Sequence, residues 1–174
     1  MGAGTPATAL LTQQHIPFTV HEYELEPLSG VEQHRGERVA YGDAAAAALG
    51  ISPDRLYKTI LLAIDGASDP RTQFALAVVP SSGELSEKAV AAALQAKRAA
   101  LADAESVHRV TGYVPGGVSP LGTKRPLPLL VDESARAHHT ILVSAGQRGH
   151  SIELAPSDLL RAGNGIVVPI GVAR

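Results

Sequence analysis

The sequence contains no cysteine and no tryptophan. Without cysteine the chain cannot form a disulfide bond, a thiolate zinc site or a cysteine nucleophile. Aromatic residues make up 3% of the chain, too few for the stacking platforms that bind single-stranded nucleic acid. The formal net charge of −2 gives no general attraction to a phosphate backbone. We therefore expect no DNA partner, and any RNA partner has to be held by a local basic patch and by its end.

Long apolar runs are also lacking. No stretch reaches the roughly eighteen consecutive apolar residues that a membrane-spanning helix needs, and the first residues lack the basic segment and apolar run of a secretion signal. Hydrophobic residues make up 45% and charged residues 18% of the 174 positions, as in ordinary globular proteins. This length suits one well-cored domain and is short for two. The sequence predicts a single domain over residues 1–174, in the cytoplasm and without a membrane partner.

Helix and strand signals follow one another without strict alternation, which predicts an α+β domain with a mixed or antiparallel sheet. The polar stretch 30–42 has no periodicity and is expected to be an exposed excursion. Capping residues and apolar spacing predict helices that begin near Thr5–Pro6, Asp43, Ser86, Ala102 and Ser157. Alternating apolar residues and turn signals predict strands over residues 16–23, 56–64, 74–79, 127–131, 140–144, 151–154 and 166–170.

Lys58 lies inside one of these strands, residues 56–64. The two-residue period of a strand places it on the same face as Ile60, Leu62 and Ile64. A lysine on so apolar a face is unusual, because a buried ammonium is costly unless it has a partner. Its pKa can fall by desolvation, its charge can meet an anionic or carbonyl ligand, or its side chain can extend to solvent from the start of the strand. The residue types alone leave these three alternatives open.

Residues 111–122 hold four glycines and two prolines with almost no charge. Glycine allows close backbone approach and positive φ, and proline fixes turns, so this segment is predicted to be an ordered loop rather than a linker. Its end is similar to a phosphate-binding P-loop, but Thr123 precedes Lys124 and Arg125–Pro126 prevents the following helix. This order argues against a nucleotide triphosphatase. Two alternatives remain: a loop whose N–H groups bind an oxyanion, and a structural turn.

Neither the histidines nor the serines form a recognisable catalytic pattern. The seven histidines include the adjacent pair His138–His139, whose side chains would point to opposite faces of a strand, and no metal-binding helix motif is present. Ser119 and Ser144 lack the flanking glycines of a hydrolase nucleophile elbow, and no spacing favours a Ser-His-Asp triad. The sequence therefore predicts neither a metal site nor a cofactor.

Several motifs follow one another in one order over one domain length, at residues 20–23, 57–59, 111–113, 116–122, 143–149 and 152–154. With these motifs the chain resembles the YbaK/EbsC family of aminoacyl-tRNA deacylases, which is related to the editing domain of bacterial prolyl-tRNA synthetases. The resemblance implies a compact α+β fold around a mixed, mostly antiparallel, barrel-like sheet with surrounding helices. It also implies hydrolysis of the ester that joins a wrong amino acid, most readily cysteine on tRNA(Pro), to the terminal adenosine. The resemblance runs from Thr5 to about Leu160.

The resemblance also implies the residues of the site and the partners. The family's hallmark lysine corresponds to Lys58, and the glycine-rich loop lies against the amino acid and the terminal ribose. We predict catalytic roles for Lys58 and for the backbone N–H groups of Gly116 and Gly117. The implied partners are the 3′ end of an aminoacyl-tRNA and prolyl-tRNA synthetase, and cysteinyl substrates would use their own thiol as the nucleophile. The predicted substrate contacts are Tyr23, Thr59, Ser119, Pro120, Ser144 and Gly146.

The chain departs from the family pattern at three places. Ser151 stands where an aspartate is expected, Gln147 replaces a frequent lysine, and the stretch 30–42 is longer than usual. The missing acid keeps open an alternative function, a non-catalytic module that binds an aminoacyl end or a free amino acid on the same fold. A hydrolase of another small ester is a third alternative.

Overall fold

The structure is a computed structural model that describes residues 4–24 and 44–173. None of the helices in these ranges combines the length and the apolar character that crossing a membrane requires. The strands are β1 Thr19–Glu22, β2 Tyr57–Asp65, β3 Phe74–Pro80, β4 Gly83–Leu85, β5 Arg98–Leu101, β6 Leu129–Asp132, β7 Ile141–Gln147, β8 His150–Leu154, β9 Ile166–Val168 and β10 Gly171–Ala173. The helices are α1 Pro6–Gln13, α2 at residues 44–49, α3 Glu87–Ala93, α4 Ala104–Thr111 and α5 Pro156–Gly163, with a 3-10 helix at Glu133–Ala137.

The described strands form three hydrogen-bonded sheets. The largest has the order β5-β2-β3-β6-β9, antiparallel across β5, β2 and β3 and parallel from β3 to β9. A three-stranded antiparallel sheet has the order β1-β8-β7, and β4 pairs antiparallel with β10. The α+β class and the mixed, mostly antiparallel pairing are therefore confirmed.

The sheets do not close into the barrel-like form that we expected. A barrel needs a continuous ladder of strand pairs around its circumference. Here the five-stranded and three-stranded sheets meet where β2 follows Leu56, and the contact between Leu56 and Leu142 of β7 is one isolated parallel bridge. The result is a set of bent sheets around a core, joined at that bridge.

Apolar clusters lie on both sides of these sheets. The largest is enclosed by one face of the five-stranded and three-stranded sheets together with α1, α4 and α5. A second cluster lies on the opposite face of β2 and β3, under α3. A third lies on the opposite face of β7, where Leu56 and Leu142 pack against α2. The second and third clusters adjoin at the start of β2, and the candidate site lies at that junction.

Local sequence signals explain where several helices begin. α1 starts after Thr5, whose Oγ1 accepts a hydrogen bond from the N–H of Thr8 at 3.2 Å. α3 starts after Ser86, whose Oγ accepts one from the N–H of Ala89 at 3.1 Å. α5 starts one residue earlier than predicted, at Pro156, because the fixed φ of proline suits the first helical position.

Three short strands are missing from the sequence prediction: β4, β5 and β10. They have three or four residues each, too few to show a period of two, and they form only because distant segments pair with them. The predicted helix start at Asp43 and the predicted excursion 30–42 lie outside the described residues.

We predict that Thr5→Ala lowers the free energy of unfolding by about 1–2 kcal/mol, because Thr5 Oγ1 both caps α1 and donates to the carbonyl of Ala145 in β7. Urea denaturation measures the change. Thr12→Ala is the matched control: it removes an exposed threonine from the same helix and should change stability by less than about 0.5 kcal/mol. Equal effects of the two substitutions would contradict the capping role of Thr5.

Candidate active site

The candidate site is built on the face of β7, β8 and β1 that is turned away from the largest apolar cluster. Ser144 of β7 pairs with Ser151 of β8, and Ser151 pairs with His21 of β1, so these three side chains leave the same face of the sheet. Lys58 and Ser144 each lie two residues beyond the bridge between Leu56 and Leu142. Because side chains alternate along a strand, the side chains of Lys58 and Ser144 point to the same side of the sheets as those of Leu56 and Leu142.

Lys58 is half-buried on the apolar face that the sequence predicted. Leu62 and Ile64 of that face are buried in the cluster under α3, and Ile60 packs against them. The ammonium Nζ donates a hydrogen bond of 2.8 Å to the backbone carbonyl of Gly83 in β4. Of the outcomes open for this lysine, the structure therefore shows a contact with a carbonyl, and that carbonyl belongs to the protein itself.

The side chains of Tyr23 and Ser151 form a hydrogen bond next to Ser144, with which Ser151 pairs across the sheet. The N–H of Tyr23 donates to the carbonyl of Gly149 at 2.9 Å, which ties the tyrosine to the β7–β8 turn. Burial raises the pKa of Tyr23, and its hydrogen bond to Ser151 opposes that rise. Ser151 is 1% exposed. The position where the family pattern predicts an acid thus holds a buried neutral hydroxyl that already has a partner.

Ser144 and Gly146 come together at an irregularity in β7. The pairing between β7 and β8 shifts register between Ser144 and Gln147, and the Oγ of Ser144 accepts a hydrogen bond from the N–H of Gly146 at 3.1 Å. Gly146 has φ +98°, and a Cβ there would lie 2.5 Å from the ring of Tyr113. Glycine is required at this position because the tyrosine ring occupies the space of a side chain.

The first half of the glycine-rich loop packs on the β7–β8 turn. Gly116 has φ +86°, and a Cβ there would lie 2.8 Å from Nε of Arg148, whose guanidinium also donates to the carbonyl of Pro115 at 2.9 Å. The N–H of Gly117 donates to the carbonyl of Val114 at 2.9 Å and so closes a turn within the loop. The positive φ accounts for glycine at Gly116, and the N–H of Gly117 already has an acceptor.

The second half of the loop belongs to the core. Ser119 and Pro120 are buried, and the Oγ of Ser119 accepts a hydrogen bond from the N–H of Leu121 at 3.3 Å. The hydroxyl of Tyr113 donates to the carbonyl of Leu121 at 2.7 Å, and burial raises the pKa of Tyr113 to about 12. A Cβ on Gly122 would lie 2.5 Å from the backbone of α1. This half of the loop therefore packs into the fold rather than along the Lys58 face.

Thr59 leaves β2 on the face opposite to Lys58, because neighbouring side chains of a strand alternate. Its Oγ1 is buried, and within the described part of the chain no hydrogen-bond partner reaches it. The structure therefore brings together Lys58, Tyr23, Ser144 and Gly146, with Gly116 and Gly117 at the adjacent turn. It separates Thr59, Ser119 and Pro120 from them.

A polar cluster that the sequence did not reveal continues the same face. Glu153 Oε1 lies 2.8 Å from His21 Nε2, and its Oε2 accepts hydrogen bonds from Thr140 Oγ1 at 2.6 Å and Arg55 Nη2 at 3.2 Å. The hydrogen bonds from Thr140 and His21 hold the pKa of Glu153 below its ordinary value. The one sign of this cluster in the sequence is an acid in the apolar run 152–154. Its partners lie at distant positions, so the sequence does not reveal them.

Two open clefts lie elsewhere on the described surface. One, of about 390 Å³, lies between residues 69–74 and 125–128. The other, of about 310 Å³, lies between residues 17–19 and 153–155 and includes Glu153 but not Lys58. In residues 4–24 and 44–173, no three His, Asp or Glu side chains are grouped as metal ligands.

Known proteins resemble this chain in sequence and in fold. The model of the aminoacyl-tRNA editing domain matches residues 37–162. EbsC of Enterococcus faecalis, named as a candidate Cys-tRNA(Pro)/Cys-tRNA(Cys) deacylase, is 32% identical over 161 residues that cover 92% of this chain and 89% of that protein. A proline–tRNA ligase of Bacillus licheniformis is 34% identical over 95 residues, which are 55% of this chain and 16% of the ligase.

The fold is also similar to a solved structure. The crystal structure of a candidate trans-editing enzyme for prolyl-tRNA synthetase superposes with a TM-score of 0.75 at 20% identity, covering 99% of this chain and 100% of that one. At this identity the likeness concerns the fold.

We predict that Glu153→Gln lowers stability at pH 7 by about 1 kcal/mol, because a charged acceptor of several hydrogen bonds becomes neutral. The folded pKa of Glu153 is lowered from the ordinary value of 4.5, so its contribution is present above that value and is lost as the pH falls through the folded pKa. Urea denaturation at pH 7 and at about pH 3 should show the difference from wild type shrinking. The exposed Glu105→Gln serves as the control, and a difference that stays constant with pH would contradict the cluster's role.

Proposed function

The chain belongs to the aminoacyl-tRNA editing domain family, and from this premise we propose that it is a hydrolase that removes a wrong amino acid from tRNA. It cleaves the ester to the terminal adenosine, and Cys-tRNA(Pro) is the substrate that the identity with EbsC favours. The observation that carries the proposal is the amine of Lys58, held on an apolar face and two residues beyond the bridge that Ser144 also follows. The proposal places the protein in the cytoplasm, where tRNA is charged.

Lys58 supplies charge to an ester that is already activated. Such an ester needs orientation and stabilisation of the oxyanion that develops on its carbonyl. In our proposal the ammonium of Lys58 holds a carbonyl or ribose oxygen of the substrate and does not attack. A charged donor fixed before the substrate arrives costs no reorganisation during the reaction.

In our proposal, backbone N–H groups of the glycine-rich loop also stabilise the oxyanion. Gly117 donates its N–H within the loop, so we assign the oxyanion donor first to Gly116, and Gly117 supplies the turn that orients it. Ser144, Gly146 and Tyr23 form the adjacent wall, against which the amino acid and the ribose lie.

The chain has no cysteine, so the nucleophile is not a thiol of the protein. For a cysteinyl ester, the substrate thiol attacks its own carbonyl carbon and forms a cyclic thioester. The bond from that carbon to the ribose oxygen breaks, the thiol proton passes to that oxygen to give the free hydroxyl, and water then opens the cyclic thioester to cysteine. An alanyl ester has no such group and requires water, so cysteine is released faster than alanine.

The second candidate function, a non-catalytic module for an aminoacyl end, is favoured by the neutral Tyr23–Ser151 pair at the expected acidic position. The assay below separates the two functions. A module would bind aminoacyl-tRNA and leave the ester intact.

The tRNA itself is expected to bind weakly. The basic residue Lys97 precedes β5, and Arg98 is its first residue. Arg98 pairs with Asp65, which lies at the opposite end of β2 from Lys58. At about 3.3 Å per residue this places them more than roughly 20 Å along the strand from the lysine. Arg148 is occupied by the carbonyl of Pro115. We therefore propose that prolyl-tRNA synthetase presents the substrate.

We predict that Lys58→Ala lowers the rate of deacylation of Cys-tRNA(Pro) by about 100-fold or more, because the transition state loses its charged donor. The measurement follows loss of the acyl group from Cys-tRNA(Pro), Ala-tRNA(Pro), Pro-tRNA(Pro) and Cys-tRNA(Cys). Lys88→Ala, which removes an exposed lysine of α3, is the matched control and should retain wild-type activity. Full activity of Lys58→Ala would reject the assignment, and an inactive wild type that still binds would support the module.

We predict that prolyl-tRNA synthetase raises the apparent affinity for Cys-tRNA(Pro) by about tenfold or more, because a partner that holds the tRNA raises the effective concentration of its end. Titration of kcat/KM with and without the synthetase measures the effect. A synthetase for another amino acid is the control. Equal values in all three conditions would contradict a presenting partner.

A further inference from the structure

The carbonyl that binds Lys58 belongs to a short strand with little support of its own. Gly83 begins β4, and β4 pairs with β10 so that Gly83 lies opposite Ala173 and Leu85 opposite Gly171. A two-stranded sheet of this size is only marginally stable in isolation. Gly83 is held on one side by the end of β3, where the N–H of Ser81 donates to the carbonyl of Leu56 at 2.7 Å, and on the other side by β10.

Asp132 holds the start of β10. Its Oδ1 accepts hydrogen bonds from the N–H of Gly171 at 2.7 Å and from the N–H of Ile170 at 3.1 Å. The carbonyl of Ile170 in turn accepts from the N–H of Ser86, directly after β4, at 2.8 Å. A Cβ on Gly171 would lie 3.0 Å from the carboxylate, so glycine allows the close approach.

The same carboxylate also reaches the strand of Lys58 from the other side. Asp132 Oδ2 accepts a hydrogen bond from the N–H of Ser134 at 3.2 Å, and Ser134 Oγ lies 2.8 Å from the hydroxyl of Tyr57. Tyr57 is the neighbour of Lys58 in β2. Burial of Asp132, which is 5% exposed, acts to raise its pKa, but the hydrogen bonds from Ser134, Gly171 and Ile170 outweigh it and lower the pKa.

We propose that Asp132 is a positioning residue for Lys58. Its carboxylate fixes β10, β10 fixes β4, and the carbonyl of Gly83 in β4 then directs the ammonium. Through Ser134 it fixes Tyr57 and hence the strand from which Lys58 extends. The effect on catalysis rests on the proposed function of Lys58, whereas the effect on the lysine's environment does not.

The first test measures Lys58 without any need for activity. Reductive methylation of the native protein, followed by peptide mapping, gives the modification rate of each of the chain's lysines, and the exposed Lys88, Lys97 and Lys124 are internal references. Asp132→Asn puts an amide nitrogen against backbone donors. We expect Lys58 to react about fivefold faster or more relative to the references, because a hydrogen bond of a charged donor is among the stronger ones.

Two further variants separate positioning from general stability. A chain that ends at Ile170 keeps the buried side chain of Ile170 and Asp132 but lacks β10, in which Val172 is 49% exposed. This variant should show the same rise in the modification rate of Lys58. Asp103→Asn makes the same chemical change at the cap of α4, where Oδ1 accepts from Ser106 N–H at 2.7 Å, and should leave Lys58 unchanged.

The second test measures deacylation of Cys-tRNA(Pro). Asp132→Asn and the shortened chain should lower kcat by about tenfold with KM changed less than about twofold, and Asp103→Asn should leave both at wild-type values. Unchanged labelling of Lys58 in both variants overturns the positioning role, whatever the activity. A wild type that does not deacylate overturns the proposed function, whatever the labelling.

Discussion

A charged ammonium stays on an apolar strand face only where a polar group meets it, because an unpaired buried charge is costly. In this chain one such group is the carbonyl of Gly83, 2.8 Å from Lys58 Nζ. The bond joins the central strand β2 to the small sheet of β4 and β10, which hydrogen bonds to Asp132 and between Ser86 and Ile170 also hold in place. The lysine is therefore part of the tertiary structure as well as the centre of the proposed site, and its direction is set before a substrate arrives.

The glycine-rich loop has a structural explanation that does not compete with a catalytic one. Gly146 makes room for the ring of Tyr113, Gly116 takes a positive φ beside Arg148, and Gly122 makes room for the start of α1. The first two contacts hold the loop against β7 and the β7–β8 turn, and the third holds its end on α1. A loop fixed on three sides can present a backbone N–H in a constant position, which is what stabilisation of an oxyanion requires.

The surroundings of Lys58 also bear on selectivity. Tyr23 and Ser151 meet as two neutral hydroxyls, whereas Glu153 is bound by Arg55 and His21 further along the sheet. A site bounded by neutral groups discriminates amino acids by size and polarity, and such contacts are worth roughly 1–3 kcal/mol per group. Modest selectivity from these contacts fits our proposal that the substrate's own thiol and a partner that presents the tRNA contribute to the reaction.

The sequence by itself determined what depends on neighbours along the chain. The alternation over residues 56–64 predicted β2 and the apolar face of Lys58, the caps Thr5 and Ser86 predicted two helix starts, and the order of motifs predicted the family. Tertiary structure alone decided the rest. The acceptor of Lys58 lies 25 positions away on a three-residue strand, and the strand that pairs with it lies near the other end of the described chain. The packing of distant segments also separates Thr59 and Ser119 from the site and leaves the sheets unclosed. Local propensity does not encode such packing.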